Sequence, residues 1–128
     1  MTTVVAALIE RDGRLLICRR RSTDPHPLKW EFPGGKAERA ERLQDALRRE
    51  LREELAIEAQ IGREAARYEF AYPGKRPILL VFFEVREFAG DPRNLVFDEI
   101  RWEAPSALPT YDFLEGDVEF VRRLATSG

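Results

Sequence analysis

Three glutamates, Glu50, Glu53 and Glu54, stand at i, i+3 and i+4 in the run L-Q-D-A-L-R-R-E-L-R-E-E-L. In a helix that spacing gathers their carboxylates into one patch. Leu43, Leu47, Leu51 and Leu55 recur every four residues and form an apolar stripe, with the glutamates on its shoulder, beside the core. Carboxylates crowded at this end of a helix repel one another and meet the negative end of its dipole, so they serve stability badly. They serve a divalent cation well, because hard cations take carboxylate oxygens. The competing description is a solvated charged helix, which suits a chain with 34% charged residues. What flanks the glutamates decides between the two.

The preceding residues read W-E-F-P-G-G-K-A-E-R-A-E. Trp30 to Phe32 predicts a short strand, and Pro33-Gly34-Gly35 a turn whose paired glycines let backbone approach a ligand closely. Lys36 to Glu41 follows as a loop, and the helix is predicted from Arg42 to Leu55. Upstream, Thr3 to Glu10 reads as a buried strand, Asp12-Gly13 as a hairpin turn and Arg14 to Arg20 as the returning strand. Alternate residues of a strand face opposite ways, so Arg19, Arg20 and Arg21 cannot all meet one ligand. One of them pointing at a phosphate leaves the other two as rim charges. Ser22 to Lys29 is a loop that carries the one histidine, His26, read mainly as a loop residue.

Downstream, Ile57 to Phe70 leans to extended structure and Tyr72-Pro73-Gly74-Lys75 turns the chain. Ile78 to Phe88 reads as one strand and Glu99 to Glu103 as a shorter one. Pro105 to Phe113 is a loop with a helical turn, and Asp117 to Thr126 a terminal helix. Hairpin-paired strands with one mid-chain and one terminal helix predict an α/β (α+β) fold, a mixed sheet sandwiched between helices.

Composition narrows the function classes. The 128 residues are enough for one domain, residues 1–128, with a sizeable core. The formal charge of −2 does not suit a general binder of nucleic acid polymers. One cysteine, Cys18, leaves no internal disulfide and no cysteine-based zinc site, and fits a reducing compartment. No apolar run reaches membrane-spanning length, and the N-terminus lacks the basic and long apolar regions of a signal peptide.

The stretch from Gly35 to Ile57 resembles the Nudix box, the signature of the Nudix hydrolases. Gly35, Glu41, Arg49-Glu50, Leu51, Glu53-Glu54 and Ile57 match eight of its nine specified positions. The departure is Ala56, where the family has a glycine that ends the helix in a left-handed conformation. Ala40 likewise stands where the family's loop usually has glycine. Neither carries a metal-ligating side chain, so the local backbone path is in question and the chemistry is not. The likeness continues through V-V-A-A-L-I-E-R-D-G-R-L-L-I-C-R-R-R, L-K-W-E-F-P-G-G-K and E-I-R-W, and looks like the MutT-like branch of nucleoside triphosphate pyrophosphohydrolases.

That resemblance implies a Nudix fold and hydrolysis of a nucleoside triphosphate, such as an oxidised purine or a pyrimidine nucleotide, to monophosphate and pyrophosphate. It implies Mg2+, with Mn2+ as a substitute, held by Glu50, Glu53, Glu54 and the Gly34 carbonyl. Glu50 or Glu53 would activate the water, and the Arg49–Glu41 pair would brace the loop on the helix. A further acid of the family aligns with Val96, and Asp98 or Glu99 would substitute for it. Arg20 matches a substrate-reaching position; Gly35 offers backbone, and Phe32 with a residue between Leu79 and Phe83 would wall the base. Asp117 aligns with a position that meets the base edge, against which stands its use as the N-cap of the last helix. The partner implied is a nucleotide, with no nucleic acid polymer and no membrane, for a cytoplasmic monomer or homodimer. Two alternatives are another nucleoside diphosphate linked substrate (a dinucleoside polyphosphate, ADP-ribose or a nucleotide sugar) and a non-catalytic nucleotide-binding module.

Overall fold

Strand β1 (Thr2–Arg11) divides the molecule in two by simple alternation. Val5, Ala7 and Ile9 face one core; Ala6 and Leu8 face the other. Strand β2 (Arg14–Arg19) repeats the pattern, with Leu16 and Cys18 on the first side and Leu15 and Ile17 on the second. The computed structural model describes residues 1–127. Gly128, the last residue of the predicted domain, lies outside them.

The remaining strands are β3 (Trp30–Glu31), β4 (Gly34–Lys36), β5 (Glu58–Gln60), β6 (Glu64–Phe70), β7 (Ile78–Val85), β8 (Glu87–Ala89) and β9 (Glu99–Glu103). The main sheet runs β3-β2-β1-β7-β6, with β4 on β1 and β9 on β2. It is mixed, because β7 lies parallel to β1 over the register from Thr2↔Ile78 to Ile9↔Val85 while its other pairings are antiparallel. Helix α1 (Leu43–Leu55) covers the first face and α2 (Glu115–Thr126) the second. Leu47, Leu51 and Leu55 are fully buried, as the four-residue stripe predicts, and each contributes about 2 kcal/mol by leaving water. The sheet between helices predicted from sequence is the architecture found.

Three elements differ from their sequence-based reading. Pro33-Gly34-Gly35 is not a turn: residues 34–36 form a strand. Strand β2 pairs with β1 only near the hairpin, at Glu10↔Leu15 and Arg11↔Arg14, so the first half of β1 keeps an open edge. Strand β4 takes that edge, pairing Val4↔Lys36 to Ala6↔Gly34. Next, the strand expected from Ile78 to Phe88 breaks at Arg86, and its end, β8, pairs separately with β5. Finally, α2 starts at Glu115 with Leu114 before it, so Asp117 lies inside the first turn and is not the N-cap.

Helix α1 ends as the box pattern requires even though alanine stands at the turning point. Ala56 sits in the left-handed region at φ 56°, and its N–H donates to the Arg52 carbonyl. Ala40 is also left-handed, at φ 65°. The backbone path is therefore kept, at a steric cost of about 1 kcal/mol for each alanine relative to glycine. Ala56→Gly should raise stability by about 1 kcal/mol, seen as a higher urea midpoint with an unchanged slope.

Candidate active site

Strand β4 presses glycine backbone between β1 and α1. A Cβ on Gly34 would lie 2.0 Å from the Val5 carbonyl oxygen, and one on Gly35 would lie 2.5 Å from the Glu50 carboxyl carbon. The box helix thus sets its Glu50 carboxylate directly against the Gly35 backbone. Gly34 donates its N–H to Glu54 Oε1 at 3.0 Å. Arg49 gathers the loop: its Nε and Nη2 donate to the two Glu41 carboxylate oxygens at 3.0 Å each, and Nη2 also reaches the Lys36 carbonyl at 3.2 Å. Nη1 of the same side chain donates to Glu50 Oε1 at 3.0 Å. Charge-assisted bonds in this forked geometry are the stronger kind, and they join loop and helix through one guanidinium.

The donor set suits a hard cation. Glu50, Glu53 and Glu54 supply only carboxylate oxygens, and the Gly34–Gly35 backbone beside Glu54 and Glu50 is free of side chains. Two of the three carboxylates are uncomfortable as bare charges. Burial pushes Glu54 up to about 9, and the neighbouring carboxylates of Glu50 and Glu31 push the same way. Burial raises Glu50 as well, against the pull of Arg49. A cation would reverse both shifts. The three do not converge on one point in this structure: among the described residues, no three acidic, histidine or cysteine side chains are gathered closely enough to hold a metal ion together. Glu50 is drawn to Arg49 and Glu54 to the Gly34 N–H, while the Glu53 side chain is 59% exposed, 3.6 Å from Arg49. Convergence therefore requires the carboxylates to rotate off these partners.

Beside this patch lies a cleft of about 340 Å³. It brings together Arg20, Phe32, Gly34, Gly35, Glu54 and Asp117, six of the residues singled out from sequence. Of the candidate wall strand, Leu80 and Phe82 contribute. Asp117, 6% exposed, lines the cleft. Burial, reinforced by Glu31, holds it at about 8. Arg19, Arg20 and Arg21 separate as strand alternation demands. Arg20 enters the cleft, Arg19 turns to Asp98, and Arg21 is exposed.

Several cleft residues, Glu31, His26 and Tyr72 among them, were not assigned to the site from sequence. Glu31 holds the Arg20 guanidinium with both carboxylate oxygens, at 3.2 and 3.1 Å, and burial lifts it to about 7 despite that partner. Its signal was a lone charge between two aromatics in W-E-F. His26 and Tyr72, from separate loops, meet with ring centroids 4.7 Å apart at the cleft. Tyr72 also accepts the Gly116 N–H at 3.2 Å, one residue from Asp117. No local pattern announces that contact.

Glu99 and Asp98, the alternatives for a further metal ligand, are not brought to the cleft. Asp98 is held by Arg19, and Glu99 by Arg101 with Arg19 at 3.7 Å. Val96 is exposed, in a segment whose Leu95 N–H donates to the Glu54 carbonyl.

Comparison with known proteins agrees with this geometry. A NUDIX domain model matches residues 1–124. The chain belongs to the Nudix family. It is 38% identical over 118 residues to the CTP pyrophosphohydrolase of Escherichia coli strain K12, covering 92% of this chain and 87% of that protein. It is 32% identical over 122 residues to the 8-oxo-dGTP diphosphatase of Haemophilus influenzae, covering 94% of this chain and 89% of the other. Among solved structures, that of the E. coli ORF135 protein superposes with a TM-score of 0.85 at 37% identity, over 95% of this chain and 86% of that one. This chain is a Nudix hydrolase of the nucleotide pyrophosphohydrolase type. No helix among the described residues is long and apolar enough to cross a membrane.

The two glycines make opposite predictions. In Gly35→Ala the new methyl meets the mobile end of Glu50, so the fold should survive with little change in melting temperature while activity falls sharply. In Gly34→Ala it meets the β1 backbone, and unfolding free energy should drop by about 3 kcal/mol or more, measured by urea titration. Asp117 predicts a pH effect. Its folded value of about 8 stands above the ordinary 3.8, so the stability tied to its neutral form is complete below pH 3.8 and is lost as pH rises toward 8. Melting curves without divalent cation should therefore show Asp117→Asn gaining on the native protein between about pH 5 and about pH 8.

Proposed function

We propose that this chain hydrolyses a nucleoside triphosphate, bound with Mg2+, to the nucleoside monophosphate and inorganic pyrophosphate. The observation that carries this reading is the junction of β4 and α1. There, side-chain-free backbone and the box carboxylates border a cleft that also takes in the buried Asp117. A phosphate chain fits the first part and a base the second.

Glu50, Glu53 and Glu54, with the Gly34 carbonyl, would hold the metal, and Mn2+ would serve in its place. When bound, the cation neutralises phosphate charge and polarises the phosphorus under attack. Water adds its oxygen to that phosphorus, the bond from the phosphorus to the bridging oxygen breaks, and the proton passes to Glu50 or Glu53. Arg49, paired with Glu41, keeps the loop and Glu50 in place. Arg20, aligned by Glu31, faces the substrate, while Phe32 and Phe82 wall the base.

The substrate in this reading is a cytidine or oxidised purine nucleoside triphosphate, the classes named by the two relatives. Asp117 supports the first. A carboxyl that keeps its proton near neutral pH donates one hydrogen bond and accepts another, which matches the ring nitrogen and amino group of cytosine. The single buried cysteine suits the cytoplasm.

A nucleotide panel, including CTP, 8-oxo-dGTP, ADP-ribose and a dinucleoside polyphosphate, tests this by product analysis with and without Mg2+. Release of pyrophosphate from a triphosphate, dependent on the cation, is the expected result. Glu53→Gln should lower kcat by about a hundredfold or more. Full activity in that variant, or turnover of no compound, overturns the reading. Saturating Mg2+ should also raise the melting temperature, because it binds the folded state alone.

A further inference from the structure

A second cavity, of about 830 Å³, opens at the end of the sheet where β1 and β7 begin. Lys36, Arg39 and Arg76 line it. Lys36 and Ile78 also line the nucleotide cleft, so the two spaces meet at those residues. Two carboxylates border the cavity. Glu41 is taken by Arg49, and Glu38 approaches the same guanidinium at 3.9 Å. Lys36, Arg39 and Arg76 have no acidic partner within ion-pair distance among the described residues. The cavity therefore carries uncompensated positive charge on a protein whose net charge is −2.

The nucleotide cleft is the smaller of the two spaces. Its volume of about 340 Å³ is near the lower end of the range of roughly 300–1,000 Å³ found for small-molecule sites. Its charged lining is mainly acidic, with Glu31, Glu54 and Asp117. Of its two cations, Arg20 is already bound to Glu31, and Lys36 stands at the exit toward the second cavity. A phosphate chain leaving the box carboxylates is thus drawn past Lys36 toward Arg39 and Arg76.

We infer that Lys36, Arg39 and Arg76 form an anion subsite that receives condensed phosphate, either the terminal phosphates of the bound nucleotide or the free pyrophosphate after cleavage. Which phosphate-containing molecule is turned over rests on the hydrolase reading above; the binding itself does not. Arg39 and Arg76 are exposed and hold no other element, so their replacement leaves the fold intact.

The test is calorimetric titration of the full chain with inorganic tripolyphosphate and, separately, with cytidine monophosphate, both in Mg2+. An Arg39→Gln/Arg76→Gln double variant should bind tripolyphosphate about tenfold more weakly and the monophosphate equally well. Arg39→Lys/Arg76→Lys should restore binding. Unchanged tripolyphosphate affinity, or an equal loss for the monophosphate, overturns the subsite. If the protein turns over no nucleotide, the hydrolase reading fails while this titration still decides the subsite. With an active enzyme the sources separate. A raised KM for triphosphate but not diphosphate assigns the subsite to the substrate tail. A weakened inhibition by pyrophosphate at unchanged KM assigns it to the product.

Discussion

The close approach of β4 to its two neighbours is the constraint on which the rest of the site depends. Val5 oxygen on one side leaves no room for a side chain at Gly34, and on the other a side chain at Gly35 would have to displace the Glu50 carboxylate. The contact places the end of α1 against the central strand, and α1 carries Glu50, Glu53 and Glu54. Its leucine stripe seats the helix, so burial of Leu47, Leu51 and Leu55 sets where Glu50 and Glu54 stand. Packing and chemistry share one helix on adjacent faces, and Arg49 locks the loop to it through Glu41.

The electrostatics of the cleft follow from the same packing. Glu31, Glu54 and Asp117 are all held above their ordinary values, mainly by burial. A folded protein that keeps three such groups gives up stability for a site able to change its charge on binding. Arg20 offsets part of it through Glu31, and a cation beside Glu54 would offset more. The free protein is thus electrostatically incomplete, and its complement is a cation with phosphate.

The four-residue stripe located α1, and the helix ends at Leu55 as the pattern requires. The two alanines at glycine positions raised the question of an altered backbone. Both adopt the left-handed conformation all the same, at φ 65° and 56°, because the surrounding pairings over-determine the path. Pro33-Gly34-Gly35 misled, because glycine reads as a turn residue locally, whereas here it is demanded by crowding from β1 and α1. Asp117 divided evenly between N-cap and base contact on sequence, and the start of α2 at Glu115 removed the first use.

The sequence by itself determined the class of chemistry. The spacing of Glu50, Glu53 and Glu54 and the match around them depend only on helical geometry and short-range order, which a linear chain carries in full. Tertiary structure decided the cleft. Glu31 with Arg20, His26 with Tyr72, and the burial of Asp117 join residues from separate strands, loops and the last helix. No periodicity encodes such contacts, since each depends on strand pairings between distant parts of the chain. The divided edge of β1, open to β4 because β2 meets it only at the hairpin, is the non-local event that brings them together.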